Sequence, residues 1–162
     1  KRYAGVLELV KEKSKWGGQN PTVARGVSAY YCHNSYVAEV VDIDASNGSN
    51  RVSNVTAAID CGIVVNPDAA KNMAEGAIVD GIGNALFGEL TFENGKPSKD
   101  NFNTYRMIRQ QEAPKNIEVH FVKNEFDPTG LGEPPFPPVF AALANALYKV
   151  TGKRYYNQPF AG

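Results

Sequence analysis

A mixed α+β domain is the fold class that this sequence predicts, and three observations predict it. Residues 26–60 hold three runs rich in β-branched and aromatic residues, separated by short breaks. Residues 64–90 then switch to an apolar period close to that of a helix. A further alternating run at 117–122 precedes a strongly apolar stretch at 139–150. The expected architecture is an antiparallel or mixed sheet packed with a long glycine-rich helix and a buried C-terminal helix.

Each element has its own warrant. In 3–16, "YAGVLELVKEKSKW", Tyr3, Val6, Leu7 and Val10 fall at helical spacing. Lys11, Lys13 and Lys15 are placed in the last turn, where cations suit the helix dipole, and Gly17-Gly18 is the stop. The runs "GVSAYYCH", "YVAEVVDID" and "VSNVTAAID" read as a three-stranded meander. Its connections are placed at Asn34-Ser35 and at Asn47-Gly48, the latter suited to a hairpin. Asn66 is a good N-cap for the next helix, Pro67 a good first residue and Asp68 a suitable first-turn acid. Its seam runs through Ala70, Met73, Ala74, Ala77, Ile78, Gly81, Ile82, Ala85 and Leu86. Asn94-Gly95 signals a second hairpin. In "IEVHFV", Ile117, Val119 and Phe121 share one face, and Glu118 and His120 the other. The last helix is entered through Pro137-Pro138 and stopped by Gly152.

Composition narrows the functional classes. With 17 basic and 17 acidic residues in 162, the chain has no nucleic-acid footprint. One domain, 1–162, accounts for the length, and no apolar run is long enough to span a membrane. Cys32 and Cys61 are too few for a disulfide framework or a cysteine-rich metal site, and both read as small core residues. Two distant histidines make a poor metal site, and His120 reads as a solvent-facing strand residue. Cys32 and His33, adjacent on a strand, would point to opposite faces and form no nucleophile–base pair. A start at Lys1 without a secretory signal is expected of a mature product or an excised piece of a longer chain.

Two features call for explanation. Gly76, Gly81, Gly83 and Gly88 together cost a helix about 3–4 kcal/mol against alanine, which points to tight packing on the sheet. "GIG" lies within the helix, with no strand-to-helix turn before it, so it is not a dinucleotide fingerprint. The stretch "GLGEPPFPP" sets Glu133 between flexible glycines and rigid prolines, which aims a side chain. Glu133 reads either as a solvated acid near a helix start or as a general base in a walled site.

The order "YVAEVVDID", "DCGIVVNP", "AEGAIVDGIGNALFGEL", "TYRM", "GLGEPPFPPVFAALANAL" resembles the molybdenum hydroxylases, the xanthine dehydrogenase and aldehyde oxidase family. It is most similar to the large subunit of the isoquinoline 1-oxidoreductase type, from about residue 25 to residue 154. The resemblance implies that Glu133 is the catalytic base beside a molybdopterin-type molybdenum cofactor, in hydroxylation of an aldehyde or N-heterocycle carbon with water-derived oxygen. It implies that Gly130, Leu131 and Gly132 border that cofactor, and that an iron–sulfur partner subunit carries electrons away. Met73 stands where the family commonly has a pterin-contacting Gln, and a thioether cannot reproduce an amide's donor and acceptor. The chain then looks like a C-terminal piece of a larger subunit, folded but inactive alone, with an exposed apolar patch where the remainder docks. A bacterial periplasmic or membrane-associated location is suggested by the same resemblance. The alternative is a non-catalytic scaffold module of this fold that has lost cofactor binding. Met73 favours it and the intact "GLGEPP" opposes it.

Overall fold

Residues 1–18, 22–46 and 51–161 are described by a computed structural model. The chain runs α1 (Arg2–Lys13), β1 (Val23–Cys32), β2 (Ser35–Asp44), β3 (Arg51–Asp60), α2 (Pro67–Phe87), β4 (Phe92–Glu93), β5 (Lys96–Pro97), β6 (Asn116–Phe121) and α3 (Phe136–Thr151). The first three strands form the expected antiparallel meander. β6 then joins the free side of β3 in parallel, which makes the sheet mixed, in the order β1-β2-β3-β6. A parallel neighbour requires a long crossover, and α2 with the segment after it supplies one.

Strand alternation divides the core in two. Val37, Val41, Ile43, Val55, Ala57 and Ile59 face α2 and α3, meeting Ile78, Ile82, Val139, Leu143 and Leu147. The opposite face presents Ala38, Val40 and Ala58 to Val6 and Val10 of α1. The sheet is therefore the middle of three layers. α3 lies so close to β1 that a Cβ on Gly26 would fall 1.9 Å from the Ala142 carbonyl oxygen.

Local chemistry accounts for the helix ends. The Asn66 side chain accepts from Ala69 N–H at 3.1 Å, and Pro67 opens α2 as expected. Gly152 closes α3 at φ 70°, a left-handed conformation that glycine adopts at little cost. Around the start of α3, Pro134, Pro135, Pro137 and Pro138 leave Phe136 as the one residue of 134–138 with a backbone N–H, and it donates to the Glu133 carbonyl at 2.9 Å. The Asn94-Gly95 hairpin is present, joining β4 to β5 with φ of 51° and 77°.

Several expectations are corrected. α1 ends at Lys13 rather than 16, because Lys15 takes φ 53°; Lys15 therefore lies beyond the last turn. Only Val6 and Val10 of its apolar seam are buried, and Tyr3 and Leu7 are exposed. The turn between β1 and β2 is His33-Asn34, not Asn34-Ser35; both residues have positive φ, 50° and 60°, as a type I′ hairpin requires. The proposed hairpin at Asn47-Gly48 lies outside the described residues. α3 is one-sided rather than buried all round, with Ala141, Asn145, Tyr148 and Lys149 exposed. The α2 glycines do not serve the sheet. A Cβ on Gly81 would meet the Phe136 carbonyl oxygen of α3 at 2.9 Å, and one on Gly83 would meet Ile108 at 2.7 Å, while Gly76 faces open space and Gly88 stands at the C-cap.

Candidate functional site

The 130–133 stretch is positioned by the β1–β2 turn. Gly130 N–H donates to the His33 carbonyl at 3.0 Å, and Thr129 N–H donates to the Cys61 carbonyl at 2.9 Å. Ser35, fully buried at the start of β2, bonds the Gly130 carbonyl and lies 2.6 Å from Thr129 Oγ1. Pro134 and Pro135 are buried on the far side of the acid. Glu133 is thus held at both flanks, as its glycine–proline context suggests, but not walled in. Its side chain is 80% exposed, which matches the solvated reading of this acid and not the walled one.

What Glu133 meets is His33. Nε2 of His33 lies 2.7 Å from Glu133 Oε2. The reading of His33 as a strand residue missed this, because β1 ends at Cys32 and His33 lies in the left-handed turn after it. A two-residue gap containing Asn between two strand patterns was the available signal for the turn. Nothing local signalled a partner 100 residues later.

The two residues stand at the mouth of a cleft of about 510 Å³ lined also by Tyr30, Cys32, Asp80 and Phe136. Phe136 packs its ring 5.3 Å from that of Phe140, so it forms a wall from the first turn of α3. Cys32 lines this cleft instead of the core. Burial, and secondarily the charge of Glu133, push its thiol up, which keeps it protonated and a poor nucleophile. Cys61 is a buried core residue, as expected. His120 is half-buried rather than solvent-facing, and its Nε2 lies 3.6 Å from Glu118 Oε2, beyond hydrogen-bond reach. A larger hollow, about 890 Å³ between α1 and β6, includes no residue of the 130–133 stretch.

The remaining site candidates fall as follows. A Cβ on Gly132 would sit 3.3 Å from Met73 Sδ, so the loop and α2 touch there. Met73 itself is 52% exposed on the helix surface. Leu131 turns inward and packs on the main core. The room left by Gly130 is taken by His33, whose Cβ would lie 2.4 Å from a Cβ placed there. Gly130, Gly132, Glu133 and Met73 therefore converge, with His33 added and Leu131 directed away.

Glu133 is thus a loop-borne, exposed acid at an open cleft. The chain belongs to the molybdopterin cofactor-binding domain family, which matches residues 6–114, and with it to the molybdenum hydroxylases. That match stops short of residues 130–133; the relatives extend across them. Membrane-bound aldehyde dehydrogenase (pyrroloquinoline-quinone) of Gluconacetobacter polyoxogenes is 32% identical over 98% of this chain and 21% of its own length. Isoquinoline 1-oxidoreductase subunit beta of Brevundimonas diminuta is 30% identical over 98% of this chain and 21% of its own. In structure, the aldehyde oxidoreductase from Desulfovibrio gigas superposes with a TM-score of 0.62 at 23% identity, covering 81% of this chain and 16% of that one. The chain spans about a fifth of the length of these two relatives.

The residues present fit a molybdopterin group as one wall of its site. Glu133 faces the cleft with its carboxylate free of buried constraints, and the open side has room for a bulky neighbour. The pterin and its phosphate need several donors and acceptors, and the Met73 thioether offers only a weak acceptor. Most of those contacts must come from outside this wall.

Proposed function

We propose that this chain is a single domain within a longer molybdopterin-binding subunit, and that the subunit is an oxidoreductase hydroxylating an aldehyde or N-heterocycle carbon with water-derived oxygen. Glu133 is its general base. The observation that carries this reading is the exposed Glu133 carboxylate, fixed in backbone position at a cleft and paired, among the described residues, with one imidazole. When bound, the cofactor supplies the redox chemistry and the activated oxygen. Gly132 and Met73 would border it, with Gly130 holding the loop in place. Glu133 would accept a proton at its carboxylate, and Phe136 would keep water from one side of the cleft.

The remainder of the subunit and an iron–sulfur electron-transfer subunit complete the assembly in this reading, and the isolated domain is inactive. Relatives named as subunits, such as the isoquinoline enzyme's subunit beta, support the first part. A second reading rests on Met73: a scaffold module that keeps the fold without the cofactor. The deciding experiment is metal and cofactor analysis of the full-length protein, co-expressed with its iron–sulfur subunit. Stoichiometric molybdenum with pterin supports the enzyme. Absence of molybdenum where a control enzyme is loaded supports the scaffold, and recovery of a quinone instead would place this chain with the cofactor named for the Gluconacetobacter relative.

A further inference from the structure

His33 and Glu133 meet through two backbones that are locked together before their side chains begin. The His33-Asn34 turn is left-handed at both residues, a conformation histidine and asparagine adopt more readily than most, and the ring lies against Glu133 of the 130–133 loop. Gly130 permits the approach, since a Cβ there would collide with His33 Cβ. The Gly130 N–H to His33 carbonyl bond and the Ser35 contacts fix the register. On the other side of the turn, Arg2 Nη1 reaches the Asn34 carbonyl at 3.4 Å. Among the described residues no other basic side chain pairs with the Glu133 carboxylate.

We propose that His33 is a positioning residue for Glu133, holding Oε2 through Nε2 so that Oε1 is the oxygen presented for proton transfer. This rests on the reading of Glu133 as the general base. A base works only when its accepting atom is within reach and correctly turned, and a third group commonly supplies the orientation. His33 does not serve stability here. The two side chains are 57% and 80% exposed, and an ion pair so exposed contributes little to folding. Its value lies in removing the rotational freedom of a long carboxylate at an otherwise featureless mouth.

The test uses full-length, molybdenum-loaded protein carrying His33→Asn or His33→Gln, beside Glu133→Gln. Asparagine tolerates the left-handed turn but is too short to reach Glu133, whereas glutamine places an amide N–H near the position of Nε2. His33→Asn should lower kcat about 10-fold or more, because a misplacement of about 1 Å can cost about 10²-fold, with KM and molybdenum content unchanged. His33→Gln should recover most of that loss, and His33→Asn should add little to Glu133→Gln. Independently of turnover, the Nε2 resonance of His33 in isotope-labelled protein should move when Glu133 becomes Gln. Wild-type kcat in His33→Asn beside an impaired Glu133→Gln removes the positioning role and leaves the base. Wild-type kcat in Glu133→Gln removes both, and an unmoved Nε2 resonance removes the pair itself.

Discussion

Asp60 and Glu133 flank the same two-residue turn, and their surroundings are opposite. Asp60 ends β3 with its side chain only 2% exposed. Arg2 grips it with two N–H bonds of 2.8 and 2.7 Å, Asn124 adds a third at 2.8 Å, and the guanidinium is sandwiched between Tyr36 and Phe126. Among the described residues Glu133 meets one imidazole, and its side chain is 80% exposed. A buried acid bonded at both oxygens is committed to holding elements together, here α1, β3 and the segment before Glu133. An acid with one engaged oxygen can still exchange a proton. The turn is thus braced by a buried, multiply bonded carboxylate on one side and carries an exposed one on the other.

The largest effect that could break this contrast is on turnover. In the loaded full-length protein, Glu133→Gln should reduce kcat by at least about 10²-fold, the usual range for a general base. Its unfolding free energy should stay within about 0.5 kcal/mol of wild type, as for other exposed sites. Near-normal turnover would end the catalytic assignment. Asp60→Asn should do the reverse, losing about 1.5–3 kcal/mol in denaturant unfolding through weakened charge-assisted bonds. A stability equal to wild type would show that Asp60 braces nothing.

A third carboxylate sharpens the comparison through pH. Glu39, on the α2–α3 face of β2, is wholly buried, and among the described residues neither oxygen has a hydrogen-bond partner. Burial pushes its carboxyl well above the usual range, so it folds protonated. Asp60 is held below the usual range, chiefly by the Arg2 hydrogen bonds working against burial. The signs follow from linkage. The Asp60 contribution is present above the ordinary carboxylate range and is lost as pH falls through its lowered value. The Glu39 contribution runs the other way: stability declines as pH rises from the ordinary carboxylate range toward its raised value. Urea midpoints should therefore fall as pH rises above the ordinary carboxylate range, and Glu39→Gln should flatten that fall. An equal slope in both proteins would mean that Glu39 has a partner or is hydrated. The smallest effect concerns glycines of α2. Gly76→Ala, into open space, should stabilise by about 0.4–1 kcal/mol, whereas Gly81→Ala should destabilise by forcing α2 from α3. Equal effects would deny the close helix contact beside the site.

Most of the architecture was legible because local signals agree with tertiary ones. Asn66-Pro67-Asp68 and Asn94-Gly95 specify their own backbones, and the strand patterns of β1 to β3 match the observed meander. The parallel pairing of β6 with β3 was not legible, since alternation reveals a strand but not its neighbour. The α2 glycines announced a close approach without saying to what, because the answer is a helix and a loop distant in sequence. At the site, Glu133 stood out through its glycine and proline flanks. His33 did not, because its role arises from a turn conformation and a contact that only folding creates.

The prolines around the start of α3 have an effect on Glu133 that goes beyond stiffness. An acid just before a helix is ordinarily drawn into capping, its oxygens captured by the unpaired N–H groups of the first turn. Here three of those candidate donors are removed at Pro135, Pro137 and Pro138, and the Phe136 N–H is spent on the carbonyl of Glu133 itself. The helix cannot recruit its own neighbouring carboxylate, which is left facing outward for whatever the cleft receives.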